Sequence, residues 1–240
     1  MWHQQTISLV LPTYNEAESI GDCVRRFEAL GVIDEIIVVN NNAAPGTSDA
    51  IRGTLAIEVS EPQQGYGAAI RRGLKESTGE LVCICEPDGT FDPEDLEKLL
   101  PYTRDVDQVL GSRTVQQFVW TGANMGPFLR LGNWFVAKLI ELSFNTVYLS
   151  DVGCTFRVLR RWVVDDVLRS LASSGSTFGL EMLLWSVRSR HRFVQIPVRY
   201  FPRIGKSAVT GSSSKSFWLG CRMIAIVIAA RLGLWPRHPR

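Results

Sequence analysis

Cys83-Ile84-Cys85-Glu86-Pro87-Asp88-Gly89 sets two carboxylates one residue apart at the end of an apolar stretch. Side-chain direction on an extended backbone repeats every second residue, so Glu86 and Asp88 point the same way. Two carboxylates so arranged can share one hard divalent cation and leave its other positions to phosphate oxygens and water. A nucleotide diphosphate can be held by its pyrophosphate in this way. Pro-Asp-Gly is also a strong turn signal, so an ordinary strand end with a polar turn satisfies the same residues. The segments upstream decide between the two.

Those segments alternate strand and helix. Ile7-Ser8-Leu9-Val10-Leu11 reads as a buried strand closed by Pro12. Asn15 is expected to open a helix, with Glu16 and Glu18 in its first turn where carboxylates suit the helix dipole. Ile36-Ile37-Val38-Val39 is a second strand, too continuously apolar for a sheet with one wet face. It runs into the turn-rich Asn40-Asn41-Asn42-Ala43-Ala44-Pro45-Gly46-Thr47 and then a short helix. Gly65–Leu74 gives a further helix, and Leu81–Cys85 a third deep strand. Strand and helix in alternation predict an α/β sandwich on a central, mostly parallel sheet, with ligands bound beyond the carboxyl ends of its strands. Pro12–Glu16, Asn40–Asn42 and Glu86–Asp88 all fall at such ends, so three polar clusters are expected to meet at one crevice.

The same residues carry a resemblance. Leu11-Pro12-Thr13-Tyr14-Asn15-Glu16, the Asn-rich loop, Gly65-Tyr66-Gly67-Ala68-Ala69 and Glu86-Pro87-Asp88 resemble family 2 glycosyltransferases of the GT-A fold. Gly111-Ser112-Arg113, Asp151-Val152-Gly153-Cys154-Thr155-Phe156-Arg157 and Arg203-Ile204-Gly205-Lys206-Ser207 look like its dolichyl-phosphate mannose synthase and bactoprenol glucosyltransferase branch. The resemblance runs in order over about residues 6 to 210. It implies inverting transfer of a hexose from a nucleotide sugar, of the UDP-glucose or GDP-mannose class, to a polyprenyl phosphate with Mg²⁺ or Mn²⁺. Three departures bear on the donor. Glu86 stands where the family usually has aspartate, and asparagines, alanines and a proline replace most of an Asp/Ser/Gly-rich loop. Thr90 or Phe91 stands where a Gln or His is frequent.

The resemblance also implies roles. Glu86 and Asp88 would hold the metal, while Pro12, Tyr14, Glu16, Asn40, Asn41 and Pro87 would line the nucleotide-sugar site. Arg113 and Arg203 would neutralise phosphate charge, with the bidentate geometry of guanidinium suited to it. Arg130 is a candidate clamp for the acceptor phosphate, Arg157 a candidate second acceptor-side arginine, and Lys206 a candidate to close over the donor; an exposed solubilising charge is the alternative for each basic residue. A polyprenyl phosphate is already ionised near neutral pH, so Asp151 is expected to position a basic partner such as Arg157 rather than remove a proton.

Composition agrees with one large domain of 240 residues. Residues 1–210 read as the catalytic domain and 211–240 as a basic amphipathic segment. The overall charge of +2 hides a division: residues 1–150 hold 11 basic and 20 acidic side chains, residues 151–240 hold 15 and 4. No carboxylate follows Glu181. A surface facing phosphates, on a lipid-linked substrate or in anionic headgroups, suits that pattern. No nucleic-acid-binding motif accompanies it. Met223–Ala230 is far shorter than the ~20 apolar residues that span a bilayer. Met1–Gln5 leads into the first strand without a signal-peptide pattern. Ser216–Leu234 instead reads as a surface helix, with Phe217, Cys221, Ile224, Ala225, Ile228 and Leu232 at helical spacing and Trp218 and Trp235 as headgroup anchors. Asn133–Phe144 is a second such candidate. Packing on the core, or on a second copy of the chain, is the alternative for both. The five cysteines show no zinc spacing or disulfide framework, which fits a reducing cytosol and the cytoplasmic face of a membrane. Two other readings stay open: the same fold acting on a hydroxyl acceptor, and a non-catalytic nucleotide-sugar-binding subunit.

Overall fold

The computed structural model describes residues 1–205 and 213–235, the side chains of 213–216 excepted. Seven strands form one sheet: β1 (Ile7–Thr13), β2 (Glu35–Asn40), β3 (Ala56–Ser60), β4 (Leu81–Ile84), β5 (Gln108–Ser112), β6 (Arg157–Arg160) and β7 (Phe193–Pro197). Their order is β3-β2-β1-β4-β6-β5-β7. Pairs β1–β2, β2–β3, β1–β4 and β5–β7 are parallel, while β6 runs antiparallel to both β4 and β5. The expected α/β class and mostly parallel sheet are therefore present.

The helices are α1 (Ile20–Glu28), α2 (Thr47–Ala50), α3 (Tyr66–Glu76), α4 (Leu96–Leu99), α5 (Pro127–Phe144), α6 (Arg161–Ser170), α7 (Phe178–Arg188) and α8 (Ser213–Arg231). The two-residue period of β1 feeds both faces of the sheet. Ile7, Leu9 and Leu11 pack with Ile20, Val24 and Phe27 of α1, while Val10 joins Ile70 and Leu74 of α3 on the opposite side. A third cluster lies between α5, α7 and α8, where Ile140, Leu184, Val227 and Ala230 meet.

Several sequence expectations are corrected. Asn15 opens no helix; α1 starts at Ile20, because the Glu16 carboxylate folds back onto the backbone N–H groups of Tyr14 and Asn15 at 2.7 and 2.8 Å. The strand β3 was not foreseen, so the apolar run at residue 81 is the fourth strand rather than the third. As an edge strand, β3 leaves Ile57 55% exposed and lacks the unbroken apolar run of its neighbours. In α8, Met223, Val227 and Ala230 pack inward at i, i+4 and i+7, while Phe217, Trp218 and Ile228 are exposed, as is Leu232 just past its end. The helix is thus apolar on both sides, not on the single face expected of a surface helix. Trp235 is half-buried and its carbonyl accepts from Arg188 Nη1, so it packs on the body rather than standing free as an anchor. Lys206 lies outside the described residues.

Candidate active site

The side on which successive strands are added reverses around β1. The chain passes from β1 outward through β2 and β3, then returns to β4 on the other side of β1. A crevice at such a switch point lies beyond the carboxyl ends of the parallel strands. Pro12–Glu16 follow β1, Asn40–Asn42 close β2 and Glu86–Asp88 follow β4. The antiparallel β6 starts where β4 ends, with Arg157 opposite Ile84, so residues 151–155 arrive at the same edge.

Glu86 and Asp88 converge as their spacing requires. Arg203 Nη1 sits 2.6 Å from Asp88 Oδ2 and 4.0 Å from Glu86 Oε2, and Nη2 sits 2.5 Å from Glu16 Oε1. Three carboxylates thus surround one guanidinium, leaving negative charge in excess. Burial, and then the adjacent Asp88, push the Glu86 pKa up to about 7. Asp88 is 1% exposed, and its Oδ1 accepts from the backbone N–H and hydroxyl of Thr90. Residues 201–204 strap this loop, with Phe201 N–H on Thr90 O and Ile204 N–H on Asp88 O. Gly89, at φ +77°, carries the turn against Ile204, whose Cδ1 would lie 2.8 Å from an added Cβ. Hard oxygen donors and surplus charge fit Mg²⁺ or Mn²⁺. Among the described residues no set of three or more His, Cys, Asp or Glu is arranged to hold a metal unaided, so an ion here would take further oxygens from a ligand.

Asp151 is fully buried and paired with Arg113, whose Nε and Nη2 approach it at 2.8 and 3.0 Å; its expected partner Arg157 does not reach it. The Arg113 guanidinium lies 5.4 Å from the centre of the Tyr200 ring. Arg157 is 2% exposed and donates to the carbonyls of Gly179 and Cys154, a core role that turns it away from the cleft. Arg130 lines a separate depression of about 610 Å³ with Trp134, Tyr148 and Thr114, across α5 from the main cleft. Asn40 also faces away, with its Nδ2 on Glu58 and its Oδ1 on Ala43 N–H. Pro12, Tyr14, Glu16, Asn41, Glu86, Pro87, Arg113 and Arg203 all line the main cleft.

Sequence reasoning gave no role to Thr155 or Tyr66, although both lie in quoted motifs. Thr155 Oγ1 is 2.7 Å from Glu86 Oε1 and 2.5 Å from the Tyr66 hydroxyl, so the pair orients one carboxylate. Ser19 donates to Pro87 O at 2.6 Å, joining the loops after β1 and β4. Asn133, on α5, donates to Asp151 Oδ1 and accepts from Val152 N–H; its sequence context marked it only as the start of a candidate surface helix.

The main cleft has a volume of about 1010 Å³. Its carboxylate end opens into an apolar trough whose walls are Leu129, Phe135 and Val136 of α5, Leu180 of α7, and Phe217, Met223 and Ile224 of α8.

The seven-stranded sheet, with carboxylates at its switch point, has the GT-A fold of solved glycosyltransferases. Glucosyl-3-phosphoglycerate synthase of Mycobacterium tuberculosis, solved with Mn²⁺, UDP and phosphoglyceric acid, superimposes with a TM-score of 0.74 at 17% identity. The alignment covers 98% of this chain and 81% of that one. The chain belongs to glycosyl transferase family 2, whose family model matches residues 8–168. The M. tuberculosis glycosyltransferase Rv0539 is 30% identical over 210 residues, covering 86% of this chain and 90% of that protein. The hexosyltransferase Agl6 of low-salt glycan biosynthesis in Haloferax volcanii is 27% identical over 84% of this chain, which spans about half (49%) of Agl6.

Proposed function

We propose that this family 2 glycosyltransferase moves a hexose from a nucleotide sugar to a polyprenyl phosphate, with a divalent cation at Glu86 and Asp88. The observation that carries this reading is the continuity of the cleft, which joins a charged end suited to pyrophosphate to an apolar trough between α5 and α8. A long-chain phosphate has that polarity; a sugar or a soluble alcohol does not. When bound, Mg²⁺ or Mn²⁺ supplies neutralisation of the leaving diphosphate. Arg203 is placed to exchange its carboxylates for phosphate oxygens, and Arg113 offers a second cation 15% exposed at the cleft wall. Lys206 is a further proposed donor contact.

Asp151 favours a phosphate acceptor over a hydroxyl. Burial alone would raise its pKa, but Arg113 and Asn133 outweigh burial and bring it to about 2. So weak a base is poorly matched to removing a hydroxyl proton, and an ionised phosphate needs no such step. Similarity to the hexosyltransferase Agl6 supports a hexose as the group transferred. We also propose peripheral contact with an anionic membrane surface, on the exposed apolar side chains flanking the trough. No helix among the described residues is long and apolar enough to cross a membrane.

The test is transfer of labelled hexose from UDP-glucose and from GDP-mannose to a polyprenyl phosphate with Mg²⁺ or Mn²⁺. Lipid-linked product is expected from one donor, with loss on chelation and a fall of more than about 100-fold in Asp88→Asn. Transfer only to hydroxyl acceptors, or product formation indifferent to chelator, would overturn the proposal.

A further inference from the structure

Asn41, at the carboxyl end of β2, is 3% exposed and has every hydrogen-bonding position of its amide engaged. Its Nδ2 donates to the carbonyls of Glu61 at 2.7 Å and Gln63 at 2.8 Å. Its Oδ1 accepts from Gly65 N–H at 2.8 Å and Gln64 Nε2 at 3.1 Å. A primary amide has two donor hydrogens and two acceptor positions, so this side chain has nothing left to read a base. What it holds is the segment 61–65 between β3 and α3. Gln64 and Gly65 of that segment line the cleft together with Thr13 and Tyr14. Gly65 is also pressed against Ser174, whose carbonyl oxygen would lie 2.3 Å from an added Cβ. The wall is therefore fixed by two neighbours, the Asn41 amide and the Ser174 backbone carbonyl.

We infer that Asn41 is a positioning residue for the nucleoside end of the cleft, acting through its neutral two-donor amide. A carboxylate of the same size could not donate to the Glu61 and Gln63 carbonyls and would set negative charge against both oxygens. The asparagine at this position is thus a requirement of the wall rather than a weakened acidic loop. The inference rests on the reading that the cleft takes a nucleotide sugar, and its effect is confined to the nucleoside part. The diphosphate end hangs on β4 and its loop, which Asn41 does not touch.

The full chain would be titrated calorimetrically, in Mn²⁺, with pyrophosphate, UDP and GDP. Wild type is expected to bind one nucleoside diphosphate at least about tenfold more tightly than pyrophosphate. Asn41→Asp and the uncharged Asn41→Ala should each cut that ratio below about threefold, with pyrophosphate affinity kept within about twofold. Asn41→Ala decides the matter if the buried charge of the aspartate variant prevents folding. Retention of the full ratio in the variants overturns the inference. So does equal loss of pyrophosphate and nucleotide, or failure of both variants to fold, since either makes Asn41 a general structural residue. A wild type that binds neither nucleotide more tightly than pyrophosphate overturns the functional reading itself, and that result needs no variant.

Discussion

Five donors converge on the Asp151 carboxylate: the backbone N–H, Nε and Nη2 of Arg113, the Asn133 amide and Gly153 N–H. Each favours the ionised form, and together they override burial to leave a pKa of about 2. A folded-state pKa below the unfolded value near 3.8 means stability present above about pH 4 and lost as pH falls toward 2. The contribution is about 2 kcal/mol. Urea unfolding between pH 5 and pH 2 should show wild type losing that much more than Asp151→Asn; parallel losses would refute the assignment. The spacing of Glu86 and Asp88 was readable from the strand period alone. The shared Arg203 was not, since it lies 115 positions beyond Asp88. Thr155 and Tyr66 are 89 positions apart, and only the antiparallel β6 brings one hydroxyl to the other.

The start of α3 is an element fixed by glycine. Gly65 holds φ +150°, and the position of an added Cβ is filled by Ser174 O at 2.3 Å. Gly67 N–H donates to the same carbonyl, and its own Cβ would meet Ser173 O at 2.7 Å. Gly65→Ala is expected to lower stability by roughly 2 kcal/mol or more, through strain and displacement of the 173–174 backbone. Gly132→Ala, in α5 with nothing within 4 Å of its Cβ, should be neutral or slightly stabilising. Thermal melts of the two variants give the comparison, and equal melting temperatures would contradict it. Buried strands such as β1 and β2 were legible because an unbroken apolar run has few other solutions. The edge strand β3 and the delayed start of α1 were not, because pairing with β2 and the backbone bonds of Glu16 outweigh local pattern.

Across the whole molecule, exposed apolar side chains gather on α5 and α8. Phe128, Leu131, Trp134 and Phe135 come from the first, Phe217, Trp218 and Ile228 from the second, with Leu232 just beyond its end. The same two helices wall the apolar trough. On the proposed reading they meet the bilayer surface, and the basic bias of residues 151–240 adds attraction to anionic lipid. The double substitution Trp218→Glu with Ile228→Glu should reduce sedimentation with phosphatidylglycerol-containing vesicles at least about tenfold, with the melting temperature unchanged, because both side chains are exposed. Undiminished vesicle binding would remove α8 from the contact.

The sequence by itself determined the α/β class, the three polar clusters at strand ends and the carboxylate pair. These depend on periods of two and on burial, which operate over a few residues. The tertiary structure decided what long-range contact alone can decide. It paired Asp151 with Arg113, withdrew Arg157 into the core and turned Asn40 outward. It also gave Asn41 a wall to hold and made α8 both core and surface. Such outcomes follow from which segments become neighbours across the sheet, and local pattern carries no record of that choice.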